Sequence, residues 1–110
     1  PLLGHVNQYL DDRPDELQEE LDDAVEAVMA LAEDPFETSE EFFREILELR
    51  LAAGELALRA SQSAMLHTGA KGYLRTAPAQ RKLRESYFVA IVTPAIKHLR
   101  KELDTLAAAA

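Results

Sequence analysis

The stretch FFREILELRLAAGELALRASQSAMLHTG, residues 42–69, decides how the rest of the chain is read. Phe42, Ile46, Leu49, Ala53, Leu56, Ala60 and Ala64 recur at spacings of three and four, the stripe of an amphipathic helix. Leu47, Leu51, Ala52, Leu58 and Met65 fall outside that stripe and spread apolar surface around the cylinder. A helix apolar on more than one side needs neighbours on more than one side, so the spacing predicts a long central helix ending at Gly69.

The flanking segments supply those neighbours. Residues 1–10, PLLGHVNQYL, read as the short end of a helix, closed by the polar break DDRPDE, with Pro14 placed to open the next helix at its first turn. Leu17, Leu21, Ala24, Val28 and Leu31 then form a helical stripe, with Glu19, Glu20, Asp22, Asp23 and Glu26 on the other face. EDPFETSEE interrupts the pattern, and Thr38 with Glu41 three residues on has the spacing of a capping box. Beyond Gly69, Pro78 suits a first helical position, and Leu83, Tyr87, Ile91, Ile96, Leu99 and Leu103 carry a last helix. Pro94 should kink it near residues 90–94, because proline lacks an amide hydrogen and crowds the preceding turn. No segment alternates with period two and no repeat is evident. The expected fold class is therefore all-α, an antiparallel four-helix bundle with short connections, forming one domain over residues 1–110.

With 110 residues, 47% of them hydrophobic, the chain has room for one globular core and little more. Its net charge of -8 argues against unaided binding of nucleic acid. The charge is divided: residues 1–48 hold 16 acids and two bases, whereas residues 49–110 hold four acids and ten bases, so one part carries -14 and the other +6. Two such parts attract each other when folded together. There is no cysteine, which excludes disulfides and thiolate chemistry and leans the expected localisation to the cytoplasm. No apolar run approaches the length of a membrane span.

Candidate chemistry is sparse. No Glu has a His three residues on, as a carboxylate-bridged metal pair in a bundle requires, and His5, His67 and His98 lie outside zinc-ligand spacing, in surface or capping roles. Ser63 and His67 stand four apart on one helix face, but no acid nearby is placed to orient the imidazole. Glu41, Glu45 and Glu48 share a face and read as solvating charges. The turn TGAKGYLR, residues 68–75, lacks the spacing of a Walker loop. Gly69 there serves either as a helix C-terminal cap or as a position where backbone can approach a ligand.

The run from Ala60 to Leu103 resembles the last helices of acyl-CoA dehydrogenase-like flavoproteins. In that family a long helix ends in Gly-Gly-x-Gly-aromatic and a proline then opens a helix carrying an Arg-acid pair. Gly69, Ala70, Lys71, Gly72 and Tyr73 match the turn, Pro78 the proline, and Arg84 with Glu85 the charged pair, without a gap. The resemblance covers about 45 residues specifically and the rest loosely, and marks a divergent branch. It implies a C-terminal helical domain whose partner domains lie outside this chain, an expectation that a start at Pro1 also prompts. It further implies that Thr68, Gly69 and Ala70 face the FAD of a neighbouring subunit, that the bundle takes part in a homo-oligomer, and that the parent protein oxidises an acyl-CoA-type substrate. No catalytic residue is assigned: the family's glutamate base falls on Thr93, the glycine after it on Pro94, and a glutamine before the turn on Leu66. Glu48 and Glu55 on the central helix are substitutes that no spacing favours.

Two other functions compete. One is a free-standing helical interaction module without redox activity, docking a partner through its apolar central helix and charge-divided faces. The other is binding of CoA or nucleotide phosphate by Lys71, Arg75, Arg81, Lys82 and Arg84. The isolated chain is expected to hold no FAD and to be inactive.

Overall fold

The computed structural model describes residues 6–109, all-helical with no strand among them. A 3-10 turn at Val6–Tyr9 is followed by α1 (Pro14–Ala32), α2 (Glu40–Thr68), a second 3-10 turn (Gly69–Tyr73), α3 (Pro78–Ile91) and α4 (Ile96–Ala109). The N-terminal part of the first expected element, His5 included, lies outside the described residues.

α2 is the axis. Its 29 residues rise about 1.5 Å each and so span about 43 Å, close to the 49 Å longest extent of the molecule. It packs against α1, α3 and α4, while neither α3 nor α4 packs extensively on α1. Pro14 and Leu17 lie beside Ala57 and Ala60, whereas Ala27 and Leu31 lie beside Glu45 and Glu48, so α1 runs antiparallel to α2. α3 does the same: Gln62 donates to the Tyr87 hydroxyl, and Val89 and Ala90 reach Arg50 and Gly54 further back along α2.

The two flanks of α2 receive different helices. Leu49 lies against α1 and Leu58 against the α3–α4 junction. Nine residues at about 100° each place them half a turn apart. α2 is thus sandwiched, which explains its second set of apolar positions. The core is a thin seam of Leu17, Leu47, Leu56, Ala90, Ala95 and Leu99.

Starts and stops follow local chemistry, with two departures from the expected pattern. Pro14 and Pro78 open α1 and α3 as expected. α2 begins one residue later than Thr38 predicts: the Ser39 hydroxyl accepts from the Phe42 amide at 3.1 Å, and the Glu37 carboxylate takes the Thr38 and Ser39 amides at 2.9 and 3.0 Å. With Ser39 as the cap, Phe42 occupies the third helical position, and no capping box forms with Glu41. The last helix is broken rather than kinked. Thr93 precedes a proline and is disfavoured in the helical region, Val92 is extended (ψ 144°), and the Thr93–Pro94 bond is cis. α4 restarts with the His98 Nδ1 accepting from the Ala95 amide at 3.1 Å, the reach-back half of a capping box with imidazole in the carboxylate's place.

Candidate functional site: the turn at the end of α2

Gly69 ends α2 with φ 75° and ψ -148°, and its amide donates to the Met65 carbonyl. A side chain there would meet nothing within 4 Å, so the turn is open on that side. Thr68, Gly69 and Ala70 are all exposed. Beneath the turn Gly72 is buried, and an added Cβ would lie 3.4 Å from the Met65 sulfur and from two carbons of Thr68, at the near edge of ordinary van der Waals contact. The Leu74 amide donates to the Lys71 carbonyl, and Gln80 Nε2 to the Tyr73 carbonyl at 2.8 Å, which binds the start of α3 to the turn. Both roles read for Gly69 in the sequence are therefore compatible in one place: it caps α2 and leaves main chain accessible.

The N-terminal segment is strapped to this same end of α2. Asn7 Nδ2 donates to the His67 carbonyl at 3.2 Å, and the Ser63 hydroxyl donates to the Asp12 carbonyl at 2.8 Å. Arg59 grips Glu20 with two bonds of 2.9 Å and the Asp12 carboxylate with one of 2.7 Å. The hydrogen bond from Arg59 holds the Glu20 carboxyl below its ordinary value, and both acids push the guanidinium further up. Asp12, at φ 47°, is held in the left-handed region by this pair of anchors. Sequence reasoning missed the strap, because its partners are 47 and 51 residues apart and no local pattern joins them.

The Ser63–His67 pair resolves as structural. His67 Nδ1 lies 2.8 Å from the Ser63 carbonyl and 3.2 Å from the Ser63 hydroxyl, and a ring nitrogen that close to a carbonyl must carry its hydrogen toward it. The Ser63 hydrogen is spent on Asp12, so no base faces the hydroxyl. The remaining candidates do not converge. Glu45 and Glu48 line a shallow groove with α1, Glu55 is paired with Arg100 at 2.7 Å, and Thr93 and Leu66 are exposed. Among the described residues, no three His, Asp or Glu side chains gather as a metal site would require.

The five basic residues after the turn are separately placed. Arg81 and Lys82 lean on Glu85 at 3.4 and 3.7 Å, Arg84 reaches Gln80 at 3.4 Å, and Lys71 and Arg75 are exposed on the turn. Tyr73 and Leu74 between them are also exposed, so the end of the bundle presents apolar as well as basic groups. Among the described residues, no helix is long and apolar enough to cross a membrane. Compared with protein-family models, curated proteins and solved structures, the chain matches none.

Proposed function

We propose that this chain is the C-terminal helical domain of an acyl-CoA dehydrogenase-like oxidoreductase, helping to complete an FAD site and an oligomer while not catalytic alone. The observation that carries the reading is the open turn: Thr68, Gly69 and Ala70 are exposed, and space lies where a Gly69 side chain would be. Main chain at such a point can come within hydrogen-bonding distance of a nucleotide without a side chain intervening. The turn motif and its spacing to Pro78 and to Arg84 with Glu85 supply the family resemblance.

The residues fit a contributing role rather than a complete pocket. Thr68, Gly69 and Ala70 would border the FAD, and Gly72 with Gln80 would hold the turn in place. The flavin, when bound, supplies acceptance of two electrons from the substrate. Thr93 brings no carboxylate to remove a proton, so this chain's part in the reading is to position the cofactor.

The test is flavin content in the complete gene product that carries this chain. The reading expects FAD absorbance there, and a loss of bound FAD in Ala70→Leu, which adds bulk to the turn without a new backbone demand, at unchanged circular dichroism. A complete product without flavin overturns it, and so does an isolated 110-residue chain that retains FAD and reduces dye with acyl-CoA. The second reading, an interaction module without redox activity, is favoured by the wide apolar exposure of α1 and α3, with Val25 at 50% and Phe88 at 65%. It expects no flavin in the complete product.

A further inference from the structure

The two ends of α2 carry opposite charge. Around its start stand Glu33, Asp34, Glu37, Glu40 and Glu41, with no base among them before Arg44. Beyond its far end the sign reverses: no acid occurs between Glu55 and Glu85, while Lys71, Arg75, Arg81, Lys82 and Arg84 lie on the turn and the start of α3. The 29 residues of α2 hold these ends about 43 Å apart. At physiological salt a charge is felt over about 8 Å, so a surface that meets one end does not sense the other.

The basic end is also apolar. Tyr73 and Leu74 are 79% and 61% exposed, and they stand between Lys71 and Arg75, which are exposed and form no ion pair among the described residues. Side chains that exposed stand out from the surface rather than line a cleft. Their main chain is pinned: the Ala77 amide donates to the Leu74 carbonyl at 2.9 Å and Gln80 Nε2 to the Tyr73 carbonyl at 2.8 Å. Several acids at this end are engaged, Asp12 by Arg59, Asp15 by Arg13, and Glu85 by Arg81 and Lys82. Asp11 and Glu16 on the N-terminal side are exposed without an ion pair among the described residues, so the positive field is confined to the turn and the start of α3.

We propose that the turn from Lys71 to Arg75 seats this end of the molecule on an anionic lipid surface. Tyr73 and Leu74 enter the headgroup layer, and Lys71 and Arg75 lie against its phosphates. Cations flanking outward apolar side chains match a layer that is anionic at its face and apolar just below. Tyrosine suits that level, with an apolar ring and a polar hydroxyl. A small phosphate ligand gives no role to the two apolar side chains. The contact is peripheral, since among the described residues no helix is long and apolar enough to cross a membrane. It uses residues 71–75 and does not rest on the flavin reading, which uses Thr68, Gly69 and Ala70.

The test is flotation of the 110-residue chain with vesicles of phosphatidylcholine alone and of phosphatidylcholine mixed with phosphatidylserine. The chain should bind the mixed vesicles, more weakly as salt is raised, and leave the neutral ones. Lys71→Gln and Arg75→Gln should each weaken binding about fivefold, and Leu74→Ser about tenfold, at unchanged circular dichroism. Phe36→Ser, at the opposite end and 89% exposed, should leave binding unchanged. The chain has no tryptophan, so Tyr73→Trp supplies a single reporter whose emission should shift to the blue on mixed vesicles. A native chain that stays in solution beside mixed vesicles overturns the proposal, as does equal binding to neutral ones. Loss of binding in Phe36→Ser equal to that in Leu74→Ser overturns it too, as does unshifted emission from the bound Tyr73→Trp chain. Displacement by millimolar glycerophosphoserine, or equally tight capture by polyglutamate, would show a site for a soluble anion and overturn it as well. None of these outcomes alters the flavin content of the complete product, so the two readings fail separately.

Discussion

Ser63 of α2 donates its hydroxyl hydrogen to the main-chain oxygen of Asp12, 51 residues earlier, over 2.8 Å. The serine is 6% exposed, so the bond is shielded from competing water and fixes where the N-terminal segment meets the bundle. Replacing Ser63 with alanine removes the donor and leaves the Asp12 carbonyl short of a partner. We expect Ser63→Ala to cost about 1 kcal/mol by urea unfolding. Hydrogen exchange should accelerate first at residues 6–13, with α3 unaffected; a uniform change along the chain would speak against a local strap.

The neighbouring anchor, Arg59 with Glu20 and Asp12, is half exposed and should act as an acid-sensitive clasp. The Glu20 carboxyl is held below its ordinary value, chiefly by the hydrogen bond from Arg59. A group whose folded value is depressed favours the fold above its unfolded value, and that contribution is lost as pH falls through the folded value. Stability should therefore fall on acidification below the ordinary range of a glutamate, about pH 4.3. Glu20→Gln should flatten part of that dependence while leaving the neutral-pH fold intact. If the native chain and Glu20→Gln lose stability in parallel as pH falls, Glu20 is not the linked group.

Much of the fold was legible because its determinants are local. Pro14, Pro78 and Gly69 mark boundaries through backbone geometry alone, and the apolar positions around α2 announce a helix with neighbours on two sides. Thr38 against Ser39 was not legible, since both are competent caps and the choice rests on the Glu37 carboxylate, which takes both amides. Whether Pro94 kinks or breaks the last helix depends on tertiary contact: Ala95 and Leu99 are buried, and α4 docks on α2 without continuing α3. The Arg59 and Ser63 strap and the opposed placement of α1 and α3 are long-range relations that periodicity does not encode. At the turn, sequence identified Gly69 as special; only the structure separates its open side from the buried Gly72 beneath.

Leu99 tests whether the thin core is cooperative. It is 3% exposed and meets α2 around Arg50, Ala53 and Gly54, where Gly54 leaves room for the adjacent Ile96 at 3.7 Å. Leu99→Ala should cost about 2–5 kcal/mol, the range for truncating a buried leucine to alanine. Because total stability of small domains is about 5–15 kcal/mol, this single change should move the urea midpoint strongly. Leu103→Ala, half buried one turn on, should cost less. Equal effects of the two would show that α4 is not seated as described.

The Gly69 turn separates conformational need from ligand contact. Its φ of 75° with ψ of -148° lies where only glycine is comfortable, yet no atom stands within 4 Å of an added Cβ. Gly69→Ala is therefore a test of backbone strain without a steric clash, and should cost about 1–3 kcal/mol. Gly72→Ala is the complementary case: no positive φ is involved, and the added carbon comes into contact with Met65 and Thr68 at 3.4 Å. We expect Gly69→Ala to shorten α2 at its C-terminal end, seen as lost protection of amides near residue 69, while the packing beneath the turn persists. Gly72→Ala should instead perturb the Met65 and Thr68 methyl resonances. Should Gly69→Ala prove as stable as the native chain, the turn adopts another conformation in solution, and the open main chain that the flavin reading uses is not there.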